Sequence, residues 1–490
     1  MDRTRFKELS KTYTAIPVYR ELLDDVLTPV SLFLKIRQGA SYPFLLESVE
    51  GGEQLARYSF IGRDPYQVLS FKEGHLRLEH DGINESLSGD FYDRLNELVS
   101  QYREPKLPEL PRLTGGAVGY VAYDTIRQTE YLPNIPEDDL KLPDAIWAFY
   151  NEIYAFDHVR HRIILIRTIF IDGTDADLDA LYDQAMVGLD RMQDRLNHDI
   201  RKNGSVDLKT NDLQSNTTRE RYMEIVEKGR HYIYEGDIFQ VVLSQRITTQ
   251  YKGDRFMLYR ALRTVNPSPY LFYLDLGDFA LIGSSPEVQV RVQDGKAEVL
   301  PIAGTRPRGK TPEEDEELGS ELKRDAKEVA EHVMLVDLGR NDLSRFCKPG
   351  TVKVTQSQVI ERFSHVMHLV STVEGYLQDG YKSVDALRYC FPAGTVSGAP
   401  KVRAMEIIDE LEASKRGPYA GAVGYFDFSG NMDTCIAIRT MIATSNRIYI
   451  QAGAGIVADS QPAREFDETM NKARALLEAL TVAKGMTVVS

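Results

Sequence analysis

Cysteine is nearly absent from this chain of 490 residues, which contains only Cys347, Cys390 and Cys435. None belongs to a Cys-x-x-Cys pair, which argues against a disulfide framework or a zinc ribbon and favours a reducing compartment. Long apolar runs are also lacking, since no stretch approaches the roughly 18 apolar residues of a membrane span. The first residues contain no apolar core of the signal-peptide type. We therefore expect a cytoplasmic protein with no membrane partner.

An excess of basic charge is missing as well. The formal net charge is −14, from 59 Lys and Arg against 73 Asp and Glu. Nucleic-acid binding depends on cations that neutralise phosphates, so no nucleic-acid partner is expected. An anionic small molecule stays compatible with this composition, because a local cluster of cations can form a site in an acidic protein.

The hydropathy pattern predicts an α+β fold with large antiparallel sheets and flanking helices. Residues 30–80 have the alternation and punctuation of strands and turns, and 146–170 resembles a long hairpin interrupted by DHVRHR. Helical periodicity predicts two long helices, over 313–337 and 464–484.

A polar run at 194–217 is poor in aromatic residues and rich in turn formers, so we place a domain junction there. It separates two intimately associated subdomains, residues 1–200 and residues 216–485, with the active site expected in the second. Thr217 precedes Glu220 by three positions, the spacing of a capping box, which predicts a helix start.

Two pairs of glutamates have helical spacing. Glu328 and Glu331 lie in KEVAEHVML, and Glu465 and Glu468 lie in REFDETMNKA. A separation of three places both members on one helix face. Two such helices facing each other could hold Mg²⁺, which prefers one or two carboxylates together with substrate oxygens and water. The alternative is a solvated surface on which Glu468 and Lys472 form a simple ion pair.

Several glycine-rich and turn-rich segments follow one another in the second half. They are PIAGTRPRG (301–309), DLGRNDLSR (337–345), SHVMHL (364–369), FPAGTVSGAPK (391–401), RGPYAGAVGY (416–425) and QAGAGIV (451–457). Taken singly, such segments are more often turns and packed core. Taken together and in this order, they resemble the chorismate-utilising enzymes. FLLESVEGGEQLARYSFIG (44–62) and GGAVGYVAYD (115–124) extend the resemblance to nearly the whole chain.

The resemblance implies the fold of that family, chorismate as the substrate and Mg²⁺ as the cofactor. Glu331 and Glu468 would bind the metal directly, and Glu328 and Glu465 would support it through bound water. The implied chorismate contacts are Gly304, Thr305, Tyr419, Arg439, Lys472 and the loop of Gly453, Ala454 and Gly455. Arg439 suits a carboxylate because a guanidinium can donate two parallel hydrogen bonds to it.

The resemblance also implies three catalytic residues. Glu287, in SSPEVQV, would be the general acid that protonates the departing C4 hydroxyl. His368 would lie near the reacting ring, where an imidazole can transfer protons at neutral pH. Thr395 would belong to the same set of active-site loops.

Two positions separate the branches of the family. Isochorismate and salicylate synthases carry a lysine in KVVLSR, where it activates water, whereas this chain has Gln240 in FQVVLSQR. Aminodeoxychorismate synthases carry a lysine in PIKGT, whereas this chain has Ala303 in PIAGT. Both differences favour the anthranilate synthase branch, whose members aminate chorismate and release pyruvate. The remaining alternative is an aminodeoxychorismate synthase component, which aminates without losing pyruvate.

In the anthranilate synthase branch, the LLES and NPSPY segments line a site for feedback inhibition by tryptophan. Here they are 45–48 and 266–270, followed by Leu271. The resemblance thus implies a tryptophan pocket of Ser48, Pro269, Tyr270 and Leu271. Ser48 would bond the amino group, and Pro269 with Leu271 would pack on the indole.

A glutaminase motif is missing, because none of the three cysteines lies in a Gly-x-Cys-x-Gly elbow. Ammonia is therefore expected from free ammonium or from a separate glutamine amidotransferase subunit, which would make the active assembly a hetero-oligomer.

Overall fold

The computed structural model describes residues 1–23, 26–48, 57–173, 176–200, 206–208, 212–363 and 366–486. Positions 49–56, within the LLES-containing segment, and 364–365, within SHVMHL, lie outside the described residues, as do 201–205 and 209–211 of the expected junction. The strands are β1 (Ala15–Leu23), β2 (Phe44–Glu47), β3 (Tyr58–Gly62), β4 (Gln67–Lys72), β5 (His75–His80), β6 (Ile83–Leu87), β7 (Gly116–Val121), β8 (Ala145–Tyr150), β9 (Glu152–Asp157), β10 (Arg162–Phe170), β11 (Val206–Leu208), β12 (Gln214–Ser215), β13 (Gln240–Gly253), β14 (Tyr270–Asp275), β15 (Ala280–Ser285), β16 (Val288–Gln293), β17 (Lys296–Val299), β18 (Ile302–Pro307), β19 (Lys353–Arg362), β20 (Val366–Tyr376), β21 (Gly398–Ala399), β22 (Ala422–Asp427), β23 (Met432–Ile436), β24 (Thr440–Ala443) and β25 (Arg447–Ile456). The helices are α1 (Arg3–Leu9), α2 (Pro29–Ile36), α3 (Phe91–Val99), α4 (Leu178–Leu196), α5 (Arg219–Tyr234), α6 (Arg255–Val265), α7 (Pro312–Arg324), α8 (Ala326–Ser344), α9 (Ser383–Cys390), α10 (Lys401–Leu411) and α11 (Pro462–Gly485), with short 3-10 turns at Tyr123–Gln128 and Gly394–Val396.

Two large antiparallel sheets confirm the predicted α+β class. The first has the order β1-β10-β9-β3-β2-β14-β15-β24-β25-β13-β11, with β12 and β21 also on β13. The second has the order β18-β20-β17-β16-β23-β22-β7-β8-β4-β5-β6, with β19 on β20. One apolar core joins Ile153 and Phe272 of the first sheet to Val118 and Val423 of the second, so the sheets pack face to face.

Each sheet takes strands from both sides of the expected junction. In the first sheet, β2 from the first half pairs with β14 from the second. In the second sheet, β7 pairs with β22. The division into 1–200 and 216–485 stays a prediction, and the two parts share their sheets.

Two predicted strand regions need correction. The 30–80 region begins with a helix, α2, because Thr28 caps it and Pro29 occupies its first turn. In the 146–170 region only β9 and β10 form the hairpin. β8 pairs with β4 and β7 in the other sheet, so the chain changes sheets at Asn151.

The helix predictions are confirmed in part. α11 confirms the helix over 464–484. The single helix over 313–337 is wrong, because Asp325 separates two helices. Its backbone N–H donates to the last turn of α7, and its side chain accepts hydrogen bonds from backbone N–H groups in the first turn of α8. The cap of α5 is Thr218, whose hydroxyl accepts from the Arg221 N–H, so the predicted start at Thr217 is one residue early. Among the described helices, none combines the length and the apolar character needed to cross a membrane.

Candidate active site

A cavity of about 700 Å³ lies between α8 and α11, over strands of both sheets. α8 packs on β18 and β20, and α11 packs on β25, so the two helices form opposite walls. The structure brings to this cavity all but one of the residues predicted for metal, substrate and catalysis: Glu287, Gly304, Thr305, Glu328, Glu331, His368, Thr395, Tyr419, Arg439, Gly453, Gly455, Glu465, Glu468 and Lys472.

The four glutamates enter the cavity from its two walls. Burial raises the pKa of Glu331, and the charge of Glu328 raises it further. Burial likewise raises the pKa of Glu465, with a further rise from Glu468. Gln240 Nε2 donates to Glu331 Oε1 at 3.0 Å. The cavity thus holds carboxylates whose ionised forms repel one another.

This arrangement fits a hard divalent cation completed by a ligand. Within the described ranges, no three His, Cys, Asp or Glu residues already converge as a metal cluster. Mg²⁺ commonly takes only one or two carboxylates and fills its remaining positions with substrate oxygens and water. The ion pair considered as the alternative is also present, since Lys472 Nζ lies 2.6 Å from Glu468 Oε1.

Glu287 follows β15 and reaches the cavity at the start of β16. Thr395 Oγ1 donates to Glu287 Oε2 at 2.8 Å, which fixes the carboxyl group. Burial raises the pKa of Glu287, although Thr395, Lys472 and Arg439 oppose the rise. A carboxyl that keeps its proton nearer neutral pH is suited to act as a general acid.

His368 lies on β20, opposite Thr305 in the β18–β20 ladder. Its Nδ1 is 3.0 Å from the Gly304 carbonyl oxygen and 3.1 Å from Thr305 Oγ1. Because a carbonyl only accepts, Nδ1 carries the proton and Nε2 is the basic nitrogen. Burial lowers the pKa of His368, which favours the neutral imidazole. The ring is therefore arranged to accept a proton.

Arg439 and Tyr419 supply donors for an anionic ligand. Arg439 has a φ of 51°, a sparsely populated value for a residue with a Cβ, and its Nη1 donates to the Lys472 carbonyl at 2.6 Å. Burial raises the pKa of Tyr419 to about 12, so its hydroxyl stays protonated. A Cβ on Gly453 would lie 2.8 Å from that hydroxyl, so only glycine leaves it room.

Comparison with known proteins agrees with this geometry. A family described as "chorismate binding enzyme" matches residues 43–478. Anthranilate synthase component 1 of Acetivibrio thermocellus is 48% identical, covering 97% of each chain, and that of Synechocystis sp. is 47% identical, covering 97% of this chain and 98% of the relative. This chain belongs to the anthranilate synthase component 1 family of chorismate-binding enzymes.

Solved structures of chorismate-binding enzymes share the fold. Anthranilate synthase component I from Streptococcus pneumoniae superposes with a TM-score of 0.77 at 38% identity, covering 94% of this chain and 99% of that one. The menaquinone-specific isochorismate synthase from Escherichia coli gives a TM-score of 0.70 at 21% identity, covering 97% and 98%, which supports the fold alone.

One of the predicted chorismate contacts, Ala454, does not line the cavity. Gly453, Ala454 and Gly455 belong to β25 and pair with β13, so the prediction of a loop is wrong. Alternation along the strand directs Gly453 and Gly455 to the cavity and Ala454 to the opposite face. Ala454 is fully buried in the apolar core and does not line the cavity.

Five polar residues that line the first cavity were not predicted from the sequence motifs: Asn266, Ser268, Lys327, Gln451 and Ser460. Asn266 and Ser268 belong to NPSPY, which the sequence connected only with the tryptophan pocket. Lys327 directly precedes Glu328, and this position beside a predicted metal-supporting residue was the signal that could have identified it. Gln451 opens QAGAGIV, and strand alternation from Gly453 would have placed it on the cavity face.

A second cavity of about 430 Å³ contains all four residues predicted for tryptophan: Ser48, Pro269, Tyr270 and Leu271. Glu47 and Asp433 add carboxylates to its wall. Pro269 also lines the first cavity, so the two cavities share this residue as a wall.

Proposed function

We propose that this chain is the chorismate-aminating component of an anthranilate synthase, which converts chorismate and ammonia to anthranilate, pyruvate and water. The observation that carries the proposal is the single cavity in which two glutamate pairs, the acid Glu287, the neutral His368 and the cation Arg439 meet. The anthranilate synthase component 1 relatives support this reaction over the aminodeoxychorismate alternative.

Opposite charges on the substrate and on the cavity wall explain how the substrate binds. Chorismate is a dianion, and the cavity offers it Arg439 and Lys472 as cations. Glu331 and Glu468 would hold Mg²⁺ directly, with Glu328 and Glu465 in support. When bound, Mg²⁺ supplies the positive charge that holds the ring carboxylate and screens the glutamates from it.

The amination step uses Glu287. The carboxyl group donates its proton to the C4 hydroxyl, the C4–O bond breaks, and water leaves while the nitrogen of ammonia bonds to C2 and the ring double bonds shift towards C4. The new ammonium group then loses a proton to solvent. Thr395 orients the acid through its hydrogen bond to Oε2. Because hydroxide is a poor leaving group, this proton is needed before the bond can break.

The elimination step uses His368. The aminated intermediate still carries the enolpyruvyl ether at C3 and a hydrogen at C2. Nε2 accepts the C2 proton, the ring becomes aromatic, and the C3–O bond breaks to release the enolate of pyruvate, which takes up a proton from water to become pyruvate. The Gly304 carbonyl holds the tautomer that leaves Nε2 available.

Ammonia comes from a separate glutamine amidotransferase subunit or from free ammonium, and the reaction takes place in the cytoplasm. L-Tryptophan inhibits by binding the second cavity, where Ser48 bonds its amino group and Pro269 and Leu271 contact its indole. Tyr270 completes that wall by donating to Asp433 at 2.8 Å.

The test is to incubate the purified chain with chorismate, Mg²⁺ and ammonium. We expect fluorescent anthranilate and pyruvate in equal amounts. An aminated product formed without pyruvate would support the aminodeoxychorismate alternative, and no chorismate consumption would refute the proposal.

A further inference from the structure

Residues 266–269, which we name the linking segment, join α6 to β14 between the two cavities. All four of its residues line the active-site cavity. Its last residue, Pro269, also lines the second cavity, together with the two residues that follow it. The same short segment therefore forms part of the wall of both cavities.

On the side of the second cavity, α6 is fixed by a buried carboxylate. Glu47 lines that cavity and accepts hydrogen bonds from Tyr259 and from Arg263, whose Nε lies 3.0 Å from Glu47 Oε2. Tyr259 and Arg263 both belong to α6, whose last turn leads into the linking segment. The wall of the second cavity thus includes Pro269 of the linking segment and also Glu47, which is hydrogen-bonded to the helix before that segment.

On the side of the active site, the linking segment is bonded to the end of β15. Ser268 is buried, and its hydroxyl donates to the Ser285 carbonyl. Asn266 Nδ2 donates to Ser284 Oγ at 3.0 Å. Glu287 follows Ser285 by only two residues, so these bonds set the backbone that presents the general acid.

The same end of β15 is also bonded to Arg439, the cation proposed to bind the substrate. The Ser284 N–H donates to the Arg439 carbonyl at 3.1 Å. Arg439 holds its unusual backbone conformation at this point, and such conformations persist only where the surroundings fix them. A shift of β15 would therefore move Glu287 and Arg439 together.

We propose that Ser268 is a positioning residue for the general acid Glu287, and that a ligand in the second cavity acts on Glu287 through the bond from Ser268 to Ser285. This deepens the proposed function and rests on it for the reaction and for tryptophan as the ligand. An effector changes a distant site only by favouring one of two arrangements. Here the two arrangements differ in whether the linking segment holds the end of β15.

The experiment compares Ser268→Ala with Ser268→Thr, which keeps the hydroxyl. Thr125→Ala is the matched control, because Thr125 is buried and donates to the Asp144 carbonyl at 2.9 Å without lining either cavity. Each variant is measured for kcat and KM with ammonium, for the pH profile of kcat, and for tryptophan binding by calorimetry. Melting temperatures check that each variant is folded.

In Ser268→Ala we expect kcat to fall about three- to tenfold, the range that one neutral hydrogen bond represents, with KM for chorismate little changed. Looser packing admits water, so the pKa of Glu287 should fall towards its usual value and the basic limb of kcat should move to lower pH. Tryptophan should still bind but should inhibit less. Ser268→Thr should restore all three properties.

An unchanged pH profile together with full tryptophan inhibition in folded Ser268→Ala would overturn the inference. The same result for Thr125→Ala as for Ser268→Ala would also overturn it, since the effect would then be general destabilisation. Failure of the wild-type chain to bind tryptophan would refute the proposed regulation instead, while the kcat and pH measurements would still decide the role of Ser268.

Discussion

Burial moves the pKa of Glu287 up and the pKa of His368 down, because it disfavours the charged form of each group. Glu287 is therefore biased towards the form that donates a proton, and His368 towards the form that accepts one. A single cavity thus contains an acid and a base without a direct contact that would neutralise them. The proposed reaction uses the acid Glu287 in its amination step and the base His368 in its elimination step.

Replacement of Glu287 tests the acid. Glu287→Gln keeps the size and the Thr395 contact but cannot donate a carboxyl proton, so kcat should fall by about 10²–10⁴-fold. In the wild type, activity should be lost as pH rises through the raised pKa of Glu287, because the protonated form is the active one. Chorismate consumption across a pH series measures both effects.

A matched variant separates chemistry from positioning. Thr395→Val removes the hydrogen bond to Glu287 and leaves the carboxyl, so it should reduce kcat much less than Glu287→Gln. Equal losses in the two variants would show that the carboxyl proton is not what limits the reaction.

Replacement of His368 tests the base. In His368→Ala, elimination should slow more than amination, so the aminated intermediate should accumulate and separate by chromatography. In the wild type, activity should be lost as pH falls through the pKa of His368, which burial places below its ordinary value of 6.5. Pyruvate release that keeps pace with chorismate consumption at the wild-type rate, in a folded variant, would rule out this role.

At the scale of helices and strands, the sequence predicted which residues meet but not every element that carries them. The i, i+3 spacing correctly placed each glutamate pair on one face of α8 and of α11. The break at Asp325 was not predicted, because a polar capping residue between two helices looks like one more residue of a polar helix face. The change of sheet at Asn151 was missed because buried strands on either side have the same apolar pattern.

Glycine was misleading in QAGAGIV. A glycine-rich segment normally indicates a loop, but here the glycines lie in β25 and keep the floor of the cavity free of side chains. The family resemblance identified the positions, whereas local pattern alone would have left them as turns. Neither could show that Ala454 faces the core, because that depends on the register with β13.

The two facing helices make a specific prediction about metal binding. Titration with Mn²⁺, followed by its paramagnetic signal, should show that Glu331→Gln and Glu468→Gln bind the metal very weakly. Glu328→Gln should lose about 10–100-fold in affinity, as expected for a group that acts through a metal-bound water. Chelation should abolish turnover in the wild type.

The control for metal binding lies on the same helix. Glu478 is exposed on α11 and does not line the cavity, so Glu478→Gln should bind Mn²⁺ like the wild type. Equal affinity in all four variants, or full wild-type activity in the presence of EDTA, would contradict the assignment of Glu331 and Glu468.

At the scale of the whole molecule, strands from both halves of the chain form each sheet, so the two cavities lie in one continuous structure. Ser48→Phe should fill part of the second cavity and weaken tryptophan inhibition, while most of the uninhibited rate remains, because Ser48 does not line the active-site cavity. Typical couplings between such sites are about 1–3 kcal/mol. Inhibition curves for the wild type and Ser48→Phe measure the change, and unchanged inhibition would count against this site.

The source of ammonia is also a property of the whole molecule, because the three cysteines are buried and give the chain no glutaminase nucleophile. Burial raises the pKa of Cys347, Cys390 and Cys435, which opposes formation of a reactive thiolate. The chain alone should therefore make anthranilate from ammonium but not from glutamine. At a fixed total ammonium concentration, the rate should first rise with pH, because more NH₃ is free to attack, and should then fall as Glu287 loses its proton.

Two concentrations of ammonium distinguish these effects. At saturating ammonium the part of the rise that depends on free NH₃ should disappear, whereas the loss of activity below the pKa of His368 and the falling limb should both remain. Glutamine should become a substrate when an amidotransferase subunit is added. Anthranilate formation from glutamine by the purified chain alone would contradict the need for a partner, because no described cysteine has the exposure and low pKa that such a reaction requires.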